Sequence, residues 1–461
     1  MPEPPDSTRA LARFVLATRY EDLDADLLRH VRRNITDCLG VALGGVDHPA
    51  TTLLLDHVSE LGGAPQATVW GVGKQLNVAR ASLVNGHLGN VLDYDDTLLT
   101  SDTILHVNAP LLPAALAVAE WKQRSGRELM AAFAVGYEVE ARVARAAGFS
   151  HLDRKWHPSA TAGTFGAAAA AGKLLGLHET QLCHAFGIAG SQTSGSLEFS
   201  GGDMKSIQVG FAAQKGTEAA LLASRYITTS ERALDDRPSC FLRMYSDNPI
   251  PERLTDGLGE RWELRDAAFK AFACGIVGQP LMDGIIQLRE RHDIRPEQVA
   301  EIEGRVNPFT TVAMWRREPR TGLEGKFSIW HSAAAFLVDG TAGKAQYSDE
   351  RVNDPLVMNV RKRVKIETDP SLAKHEAHAL IRLVDGRAYD LHVEHGKGTR
   401  GNPLGDDELW AKFQSLAEPA IGAGSAARLR RTIEGLDTLA DAGELARATV
   451  PETHGEPRNR R

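Results

Sequence analysis

The sequence predicts a mainly α-helical protein with a smaller α+β second domain. Apolar residues recur at three- and four-residue intervals from residue 11 to about residue 224, which is the period of a helix with one buried face. After about residue 264 the pattern changes to strand-like alternation, and from residue 406 it is helical again. We therefore predict a helical domain over residues 1–263, rejoined by residues 400–461, and an α/β domain over residues 264–399.

The helical part contains recognisable start and stop signals. The stretches LARFVLATRY and LLRHVRRNITDCLGVALGG are periodic, and the second ends at Gly44-Gly45, a helix stop signal. A further helix is predicted in APLLPAALAVAEWKQR, and Ser125 and Glu128 then form a capping-box pattern that opens the next one. Residues 159–177 are rich in Ala and Gly, whose small side chains let helix axes approach closely, so we place this helix inside a bundle. The simpler alternative is a strong helix former with no special position.

The α/β part combines alternating runs with two helical stretches. Residues 378–396 contain two alternating runs around Asp385-Gly386, which is a strong hairpin signal. The remaining elements predicted in this part are strands in residues 300–308 and 359–369, and helices in residues 281–292 and 326–338.

Composition excludes several classes of protein. The 461 residues carry a net charge of −7 without a dominant basic cluster, which argues against a nucleic-acid-binding surface. There is no uninterrupted apolar run of the roughly 18 residues that a membrane span needs. The N-terminus lacks the basic and apolar regions of an export signal, so we expect a cytoplasmic enzyme. The four cysteines lie far apart, which argues against a disulfide framework, a zinc ribbon or an iron–sulfur cluster.

Three polar clusters are candidates for chemistry. The first is an acidic run, Asp93-Tyr-Asp-Asp-Thr97, followed by His106. Carboxylates beside an imidazole can orient it and stabilise its protonated form. The alternative is a solvated acidic loop that caps the helix starting near Asn108.

The second cluster is Lys155-Trp-His157-Pro158-Ser159, and the third surrounds Lys205. Pro158 suits the first turn of a helix, so His157 would lie at a helix N-terminus, where a substrate carboxylate can bind. Lys205 lies between Gly202 and Gly210, which suggests a backbone bend that presents its ammonium to a cavity. The commoner alternatives are a histidine used for packing and an exposed lysine in a loop.

Taken together, these stretches resemble the MmgE/PrpD family. The resemblance runs through almost the whole chain and is carried by DCLGVALGG, VLDYDDT, APLLPAALAVAE, WHPSATAGTFGAAAAAGKLLGL, MKSIQVGFAAQKG, FKAFACGIV, KFSIWHSAAAFLVDG and GNPLGDDELWAKF. It implies a large all-helical domain, a smaller α/β domain that acts as a lid, and a homodimer. It also implies that no metal or organic cofactor is required, and that the substrate is a small di- or tricarboxylic acid.

The resemblance also assigns residues. Its motifs imply that the catalytic residues are Asp93, His106, His157, Lys205 and, in place of a common tyrosine, His331. We assign substrate binding to Thr97, Gln208, Gln279 and Asn90. Asn90 and Gln279 stand where family members commonly have histidine, and an amide cannot titrate near neutral pH. These departures leave the identity of the acid open.

The predicted activity is removal or addition of a proton next to a carboxylate. We expect His106 to act as general base or acid with Asp93 orienting it, while Lys205 and His157 bind carboxylates or pass on the second proton. His331 would replace the tyrosine as a proton donor. The leading interpretation is a lyase of the 2-methylcitrate dehydratase type that eliminates water or carbon dioxide. An epimerase of the iminodisuccinate type is the second interpretation, and a non-catalytic binder of an organic acid is the third.

Overall fold

The computed structural model describes residues 6–341 and 343–452. The expected lack of an export signal depends on the first residues, and the helical domain was predicted to run from residue 1 and to end at residue 461. Residues 1–5 and 453–461 lie outside the described residues, so those parts of the predictions are not addressed by the structure.

Helices dominate the first part of the chain. Ser125 caps the sixth helix as predicted, because its Oγ accepts from the backbone N–H of Glu128 while the Glu128 carboxylate accepts from the N–H of Ser125. The helices of this part are α1 (Ser7–Ala17), α2 (Ala25–Gly44), α3 (Pro49–Glu60), α4 (Val78–Asn90), α5 (Asn108–Lys122), α6 (Gly126–Ala147), α7 (Phe149–Asp153), α8 (Pro158–Leu175), α9 (Glu179–Gln192), α10 (Met204–Ser224) and α11 (Phe241–Tyr245).

The Ala- and Gly-rich helix α8 lies at the centre of the bundle. It packs against α5, α6, α9 and α10, and nearly all of its residues are buried. A Cβ added to Gly216 of α10 would lie 2.5 Å from Cβ of Ala167, and one added to Gly166 would lie 2.6 Å from Cβ of Glu140 on α6. The small side chains are therefore what allows these helices to come so close, and the prediction of a central helix is confirmed.

Two small sheets interrupt the helical part. The first pairs β1 (Ala67–Thr68) with β2 (Gln75–Leu76), and the second has the order β4-β3-β5, with β3 (Thr97–Leu99), β4 (Ile104–Leu105) and β5 (Ala267–Ala268). Strands β1 to β4 are short additions to a first domain that is otherwise helical as expected, and β5 lies in the predicted α/β part. Strands of two or three residues are too short to produce a period-2 pattern that a sequence reading can detect.

The α/β part is built on one four-stranded sheet. Its strand order is β7-β6-β8-β9, with β6 and β7 parallel and the other pairs antiparallel. The predicted hairpin is confirmed as β8 and β9, whereas residues 359–361, predicted as strand, end a helix. The elements are α12 (Gln279–Arg291), β6 (Val299–Val306), α13 (Pro308–Ala313), α14 (Gly322–Gly325), α15 (Ile329–Asp339), α16 (Asp349–Val352), α17 (Pro355–Arg361), β7 (Val364–Thr368), β8 (Ala377–Leu383) and β9 (Ala388–Val393).

The chain then returns to the helical part. The last helices are α18 (Asp406–Ile421), α19 (Ala423–Glu434) and α20 (Gly443–Ala448). Helix α18 packs closely on α2 at Gly40. A Cβ added to this glycine would lie only 3.1 Å from Cα of Phe413. Three apolar clusters result among the described residues: one in the helical bundle, one that joins the α/β part to residues 91, 92 and 94 of the loop after α4, and a small one of Phe269, Leu404 and Leu409. With 59% helix and 10% strand, the mainly α fold is confirmed.

In the described part of the chain, no single helix has both the length and the apolar character needed to cross a bilayer. Helices α2 and α3, taken together as a pair bent by 91°, do meet those two criteria. All four cysteines are buried and carry free thiols.

Candidate active site

The loop after α4 brings an acidic side chain into the interior of the protein. Asp93 adopts a left-handed backbone conformation (φ 49°), which few non-glycine residues do, and its N–H donates to the carbonyl of Asn90. The Asn90 side chain donates to Oδ2 of Asp95 at 2.7 Å. Asn90 and Asp95 therefore hold the loop in the shape that aims Asp93 at its partners.

Two lysines meet on the carboxylate of Asp93. Nζ of Lys205, in the first turn of α10, lies 2.7 Å from Oδ1 of Asp93, and Nζ of Lys270, just after β5, lies 3.1 Å from the same oxygen. Lys270 also donates to the Asp93 carbonyl at 2.8 Å. Burial alone would raise the pKa of the Asp93 carboxyl. Lys205, Lys270 and His106 outweigh that effect and hold the pKa well below its usual range, so Asp93 is an anion.

His106 lies beside this ion cluster as a neutral imidazole. Its Nδ1 lies 2.9 Å from the carbonyl oxygen of Asp96, which can only accept, so Nδ1 carries the proton. Its Nε2 lies 3.7 Å from Oδ1 of Asp93 and keeps a free lone pair. Burial, together with Lys205 and Lys270, lowers the pKa of His106 to about 4, against the opposing effects of Asp95 and Asp93. Nε2 of His106 is therefore available as a base at neutral pH.

His157 has the opposite tautomer because of Gln208. The Gln208 Oε1 accepts from the N–H of Ser196 at 2.9 Å, which fixes the direction of the amide. Its Nε2 then faces Nδ1 of His157 at 2.9 Å as a donor, so the proton of His157 is on Nε2. Burial, Lys205 and His106 lower the pKa of His157 well below its usual value. The two rings lie 6.5 Å apart between centroids, one presenting a lone pair and the other an N–H.

These groups line one cavity of about 490 Å³ between the helical and α/β parts. Five of the nine residues predicted from the sequence are on its wall: Asp93, Thr97, His106, His157 and Lys205. Lys270, Lys155 and Ser159 join them, and much of the remaining wall is apolar, with Ile276, Val277, Phe309, Val312, Trp315 and Phe327. A concave site with a few convergent charges and an apolar surround is the usual form of a small-molecule site.

Asp93, Asp95 and His106 could in principle hold a metal ion, because their ligand atoms lie within 4.8 Å of one another. Oδ1 of Asp93, however, already accepts from two ammonium groups, and Nδ1 of His106 donates to a carbonyl. A divalent cation would therefore have to sit beside two positive charges, which is unfavourable. The residues fit an anionic organic ligand better than a metal ion.

Two family models match the chain. The MmgE/PrpD N-terminal domain matches residues 9–253, and the MmgE/PrpD C-terminal domain matches residues 272–438. The chain belongs to the MmgE/PrpD family. The predicted family is thus confirmed over most of the chain.

Several curated relatives of this family member share one name. It is 28% identical to the cis-aconitate decarboxylase of Mus musculus, with 95% of this chain and 92% of the relative covered. It is 26% identical to the Homo sapiens cis-aconitate decarboxylase (95% and 93% covered) and 26% identical to that of Aspergillus terreus (92% of each). These relatives confirm the prediction of a lyase of the MmgE/PrpD type.

Lys270 is the main site residue that the sequence analysis did not select. Its motif, FKAFACGIV, had been recognised as a family stretch, but the lysine had not been singled out. A charged residue inside an otherwise apolar run was the available signal, because such a charge is buried only when it has a partner. The partner, Asp93, is 177 residues away in sequence, and only the fold shows the contact.

Four predicted site residues have other roles among the residues described here. Gln208 and Asn90 do not line the cavity, and instead orient His157 and Asp95. Gln279 is also outside it: its amide accepts from the N–H of Ala271 and donates to the carbonyl of Phe272, which shapes the segment after Lys270. We correct these three from substrate-binding to positioning residues.

His331 is not brought to the cavity either. Its Nε2 lies 2.9 Å from the carbonyl of Gln346, its ring packs edge-on against Tyr347, and burial lowers its pKa to about 4. The residue belongs to α15, which packs inside the α/β part. The predicted role of His331 as a replacement proton donor is therefore corrected to a structural one.

Proposed function

We propose that this MmgE/PrpD lyase decarboxylates cis-aconitate or a closely related unsaturated tricarboxylate without a cofactor. The observation that carries the proposal is the cluster of two ammonium groups on Asp93 beside a neutral imidazole with a free Nε2. The names of the relatives favour decarboxylation over dehydration.

The ammonium groups supply the charge that a polycarboxylate needs. Lys205 and Lys270 together exceed the charge of Asp93 by one. Elsewhere on the wall Lys155 is accompanied by the carboxylates of Asp153 and Glu198, so the surplus positive charge lies at the ammonium pair. Fixed charges on buried side chains such as these stabilise an anion more than the same charges would in water. We assign Lys205 and Lys270 to binding substrate carboxylates and to stabilising the negative charge that develops during the reaction.

We assign proton transfer to His106. In the substrate-free protein its pKa is about 4, so it is neutral. A bound tricarboxylate adds negative charge beside the ring, which raises this pKa and lets His106 take up a proton together with the substrate. The protonated ring then acts as the general acid, and in the reverse sense the neutral ring acts as the base.

The reaction then balances with one proton. The bond between the methylene carbon of cis-aconitate and its carboxyl group breaks, and carbon dioxide leaves. The electron pair of that bond forms a new terminal double bond, and the carbon at the far end of the old double bond takes the proton from His106. His157 donates a hydrogen bond from Nε2 to a substrate carboxylate and so holds the acid in place. The products are carbon dioxide and methylenesuccinate.

The test is incubation of the purified protein with cis-aconitate in D2O, followed by proton NMR and measurement of carbon dioxide. We expect methylenesuccinate with one deuterium incorporated. Interconversion of 2-methylcitrate and its unsaturated acid instead would mean a dehydratase. Deuterium uptake into an intact dicarboxylate would mean an epimerase, and no reaction or exchange with any of these acids would mean a binder.

A pair of variants on one helix assigns the activity to the cavity. Lys205→Met should abolish turnover, because it removes an ammonium that we assign to binding a substrate carboxylate. Lys215→Met is the matched control, because Lys215 lies three turns further along α10 and donates to the carbonyl of Gln192 and the hydroxyl of Ser194 instead. Equal activity of the two variants would contradict the assignment.

The proposal also includes a homodimer, as the family resemblance implies, and a cytoplasmic location, as expected in the sequence analysis. Sedimentation velocity on the purified protein tests the dimer directly. A single species with the mass of one chain, 50.0 kDa, over a wide concentration range would refute it. Cell fractionation tests the location in the same way.

A further inference from the structure

A third lysine lies immediately behind the wall of the cavity. Lys412 on α18 donates from Nζ to Oδ1 of Asp37 at 2.6 Å, to the carbonyl of Tyr94 at 2.7 Å and to the carbonyl of Lys270 at 3.0 Å. The side chains of Lys412 and Asp37 are 5% and 0% exposed. An ammonium has three N–H donors, so all of them are used.

We propose that Lys412 is a positioning residue that fixes Lys270 relative to Asp93 through its bonds to the two backbone carbonyls. One of the carbonyls it binds belongs to the residue after Asp93, and the other belongs to Lys270 itself. A single buried ammonium therefore joins the two backbone segments that carry the opposing charges of the site. The inference rests on the proposed function for its kinetic consequences, but its structural consequence can be measured separately.

The loop needs such a brace because of its backbone. Asp93 is in the left-handed region, which is unfavourable for a residue with a side chain, so contacts around it must hold it there. The neighbouring contacts hold other atoms: the Tyr94 hydroxyl donates to the carbonyl of Ala271, and Gln279 binds Ala271 and Phe272. Among these contacts, those of Lys412 are the ones that connect the carbonyl of Tyr94 to the carbonyl of Lys270.

The aromatic ring of Tyr94 covers the ammonium group of Lys412. Its centroid lies 4.0 Å from Nζ of Lys412, so the ammonium is covered by a π face as well as by three acceptors. The consequence is a rigid link from the C-terminal part of the chain to the site, since α18 follows the α/β part and packs on α2. The competing interpretation is that the Lys412–Asp37 pair only attaches α18 to α2.

Substitutions on the two partners separate these interpretations. Asp37→Asn keeps an acceptor for Lys412 and leaves both carbonyl contacts possible. Lys412→Met removes the contacts to the carbonyls, but it also leaves the buried Asp37 carboxylate without its cation, which can impair folding. The double variant Asp37→Asn with Lys412→Met removes both charges and avoids this problem. Lys173→Met is the matched control, because Lys173 also donates to two carbonyls, those of Val15 and Thr18, but lies away from the cavity.

Crystal structures of these variants give the first measurement. In Lys412→Met and in the double variant we expect Nζ of Lys270 to move from 3.1 Å to beyond the roughly 3.5 Å limit of a hydrogen bond with Oδ1 of Asp93. In Asp37→Asn and Lys173→Met the distance should stay unchanged. An unchanged distance in the double variant would overturn the proposal, whatever the substrate is.

Kinetics with cis-aconitate give the second measurement. Lys412→Met and the double variant should lose about 10- to 100-fold in kcat, because misplacing a charge by about 1 Å can cost that much. KM should change by less than about threefold, because a displaced ammonium still attracts the substrate. Asp37→Asn and Lys173→Met should keep kcat within about threefold. A loss of thermal stability alone, with normal kcat, would favour the attachment of α18 and refute the positioning role.

The two measurements keep the two proposals distinguishable. If the wild-type protein does not turn over cis-aconitate, the proposed function fails, and the crystal structures still decide the role of Lys412. If turnover is normal in the wild type and in the double variant, the positioning role fails and the proposed function stands.

Discussion

Removal of the Lys270 ammonium is the sharpest perturbation of the site. Its Nζ and that of Lys205 contact the same oxygen of Asp93 at 3.1 and 2.7 Å, so the two ammonium groups must lie within about 6 Å of each other. The repulsion between the two ammonium groups is offset because the carboxylate of Asp93 lies between them. Lys270→Met keeps most of the apolar stem of the side chain and removes the ammonium, with its charge and its hydrogen bonds to Oδ1 and the carbonyl of Asp93.

The expected size of the effect follows from electrostatics. At an effective dielectric constant of about 20, a unit charge about 4 Å from a carboxylate contributes about 4 kcal/mol. Part of this acts equally on the bound substrate, so the loss that appears in the rate is smaller. Removal of one preorganised donor typically costs about 2.7–4 kcal/mol, which is about 100- to 1,000-fold in kcat.

The assay is the initial rate of carbon dioxide release from cis-aconitate at saturating substrate. Thermal unfolding of the variant, followed by circular dichroism, shows whether the fold is retained, and Lys173→Met is the matched control for the loss of a lysine. If folded Lys270→Met kept kcat within about fivefold of the wild type, the assignment of the ammonium pair to charge stabilisation would be refuted.

Three further predictions concern the histidines. His106→Gln should lower kcat by about 100- to 10,000-fold, and a normal rate by NMR would contradict the role of this ring. His331→Phe should keep kcat within about threefold but lower the free energy of unfolding in urea by about 1–3 kcal/mol, because the carbonyl of Gln346 loses its donor; a large loss of kcat would return His331 to the site. Burial lowers the pKa values of His106, His151 and His331 to about 4, so these rings are neutral in the folded state and bind protons more readily when unfolded. Stability is therefore fully present above about pH 6.5 and decreases as the pH falls toward about 4, and a urea midpoint that rose on acidification over this window would contradict the burial of these rings.

Periodicity predicted the parts of the fold in which one pattern lasts for many residues. The central helix α8 and the hairpin of β8 and β9 were predicted because small residues or strict alternation continue over a whole element. Strands β3 and β5 were missed because each has two or three residues and they pair across the gap between residues 99 and 267. The end of α17 was misread because its residues also fit an alternating pattern.

The site was predictable where a motif carries its own chemistry. Asp93, His106, His157 and Lys205 come from polar clusters in short stretches, and the fold brings all four to one cavity. Partner choice could not be predicted in the same way. That Gln208 sets the tautomer of His157, or that Lys412 binds the carbonyl of Lys270, depends on contacts between elements that are distant in sequence.

The central claim is that His106 is neutral in the free protein, next to a cationic pair, and takes up the catalytic proton when the tricarboxylate binds. NMR of the protein labelled with 15N at histidine measures the tautomer and the pKa of this ring directly, with His106→Gln used to assign the signal. We predict a proton on Nδ1, a pKa near 4 in the free protein, and a rise in that pKa when cis-aconitate is added. A proton on Nε2, or a pKa of about 6.5 that the tricarboxylate does not change, would contradict the account.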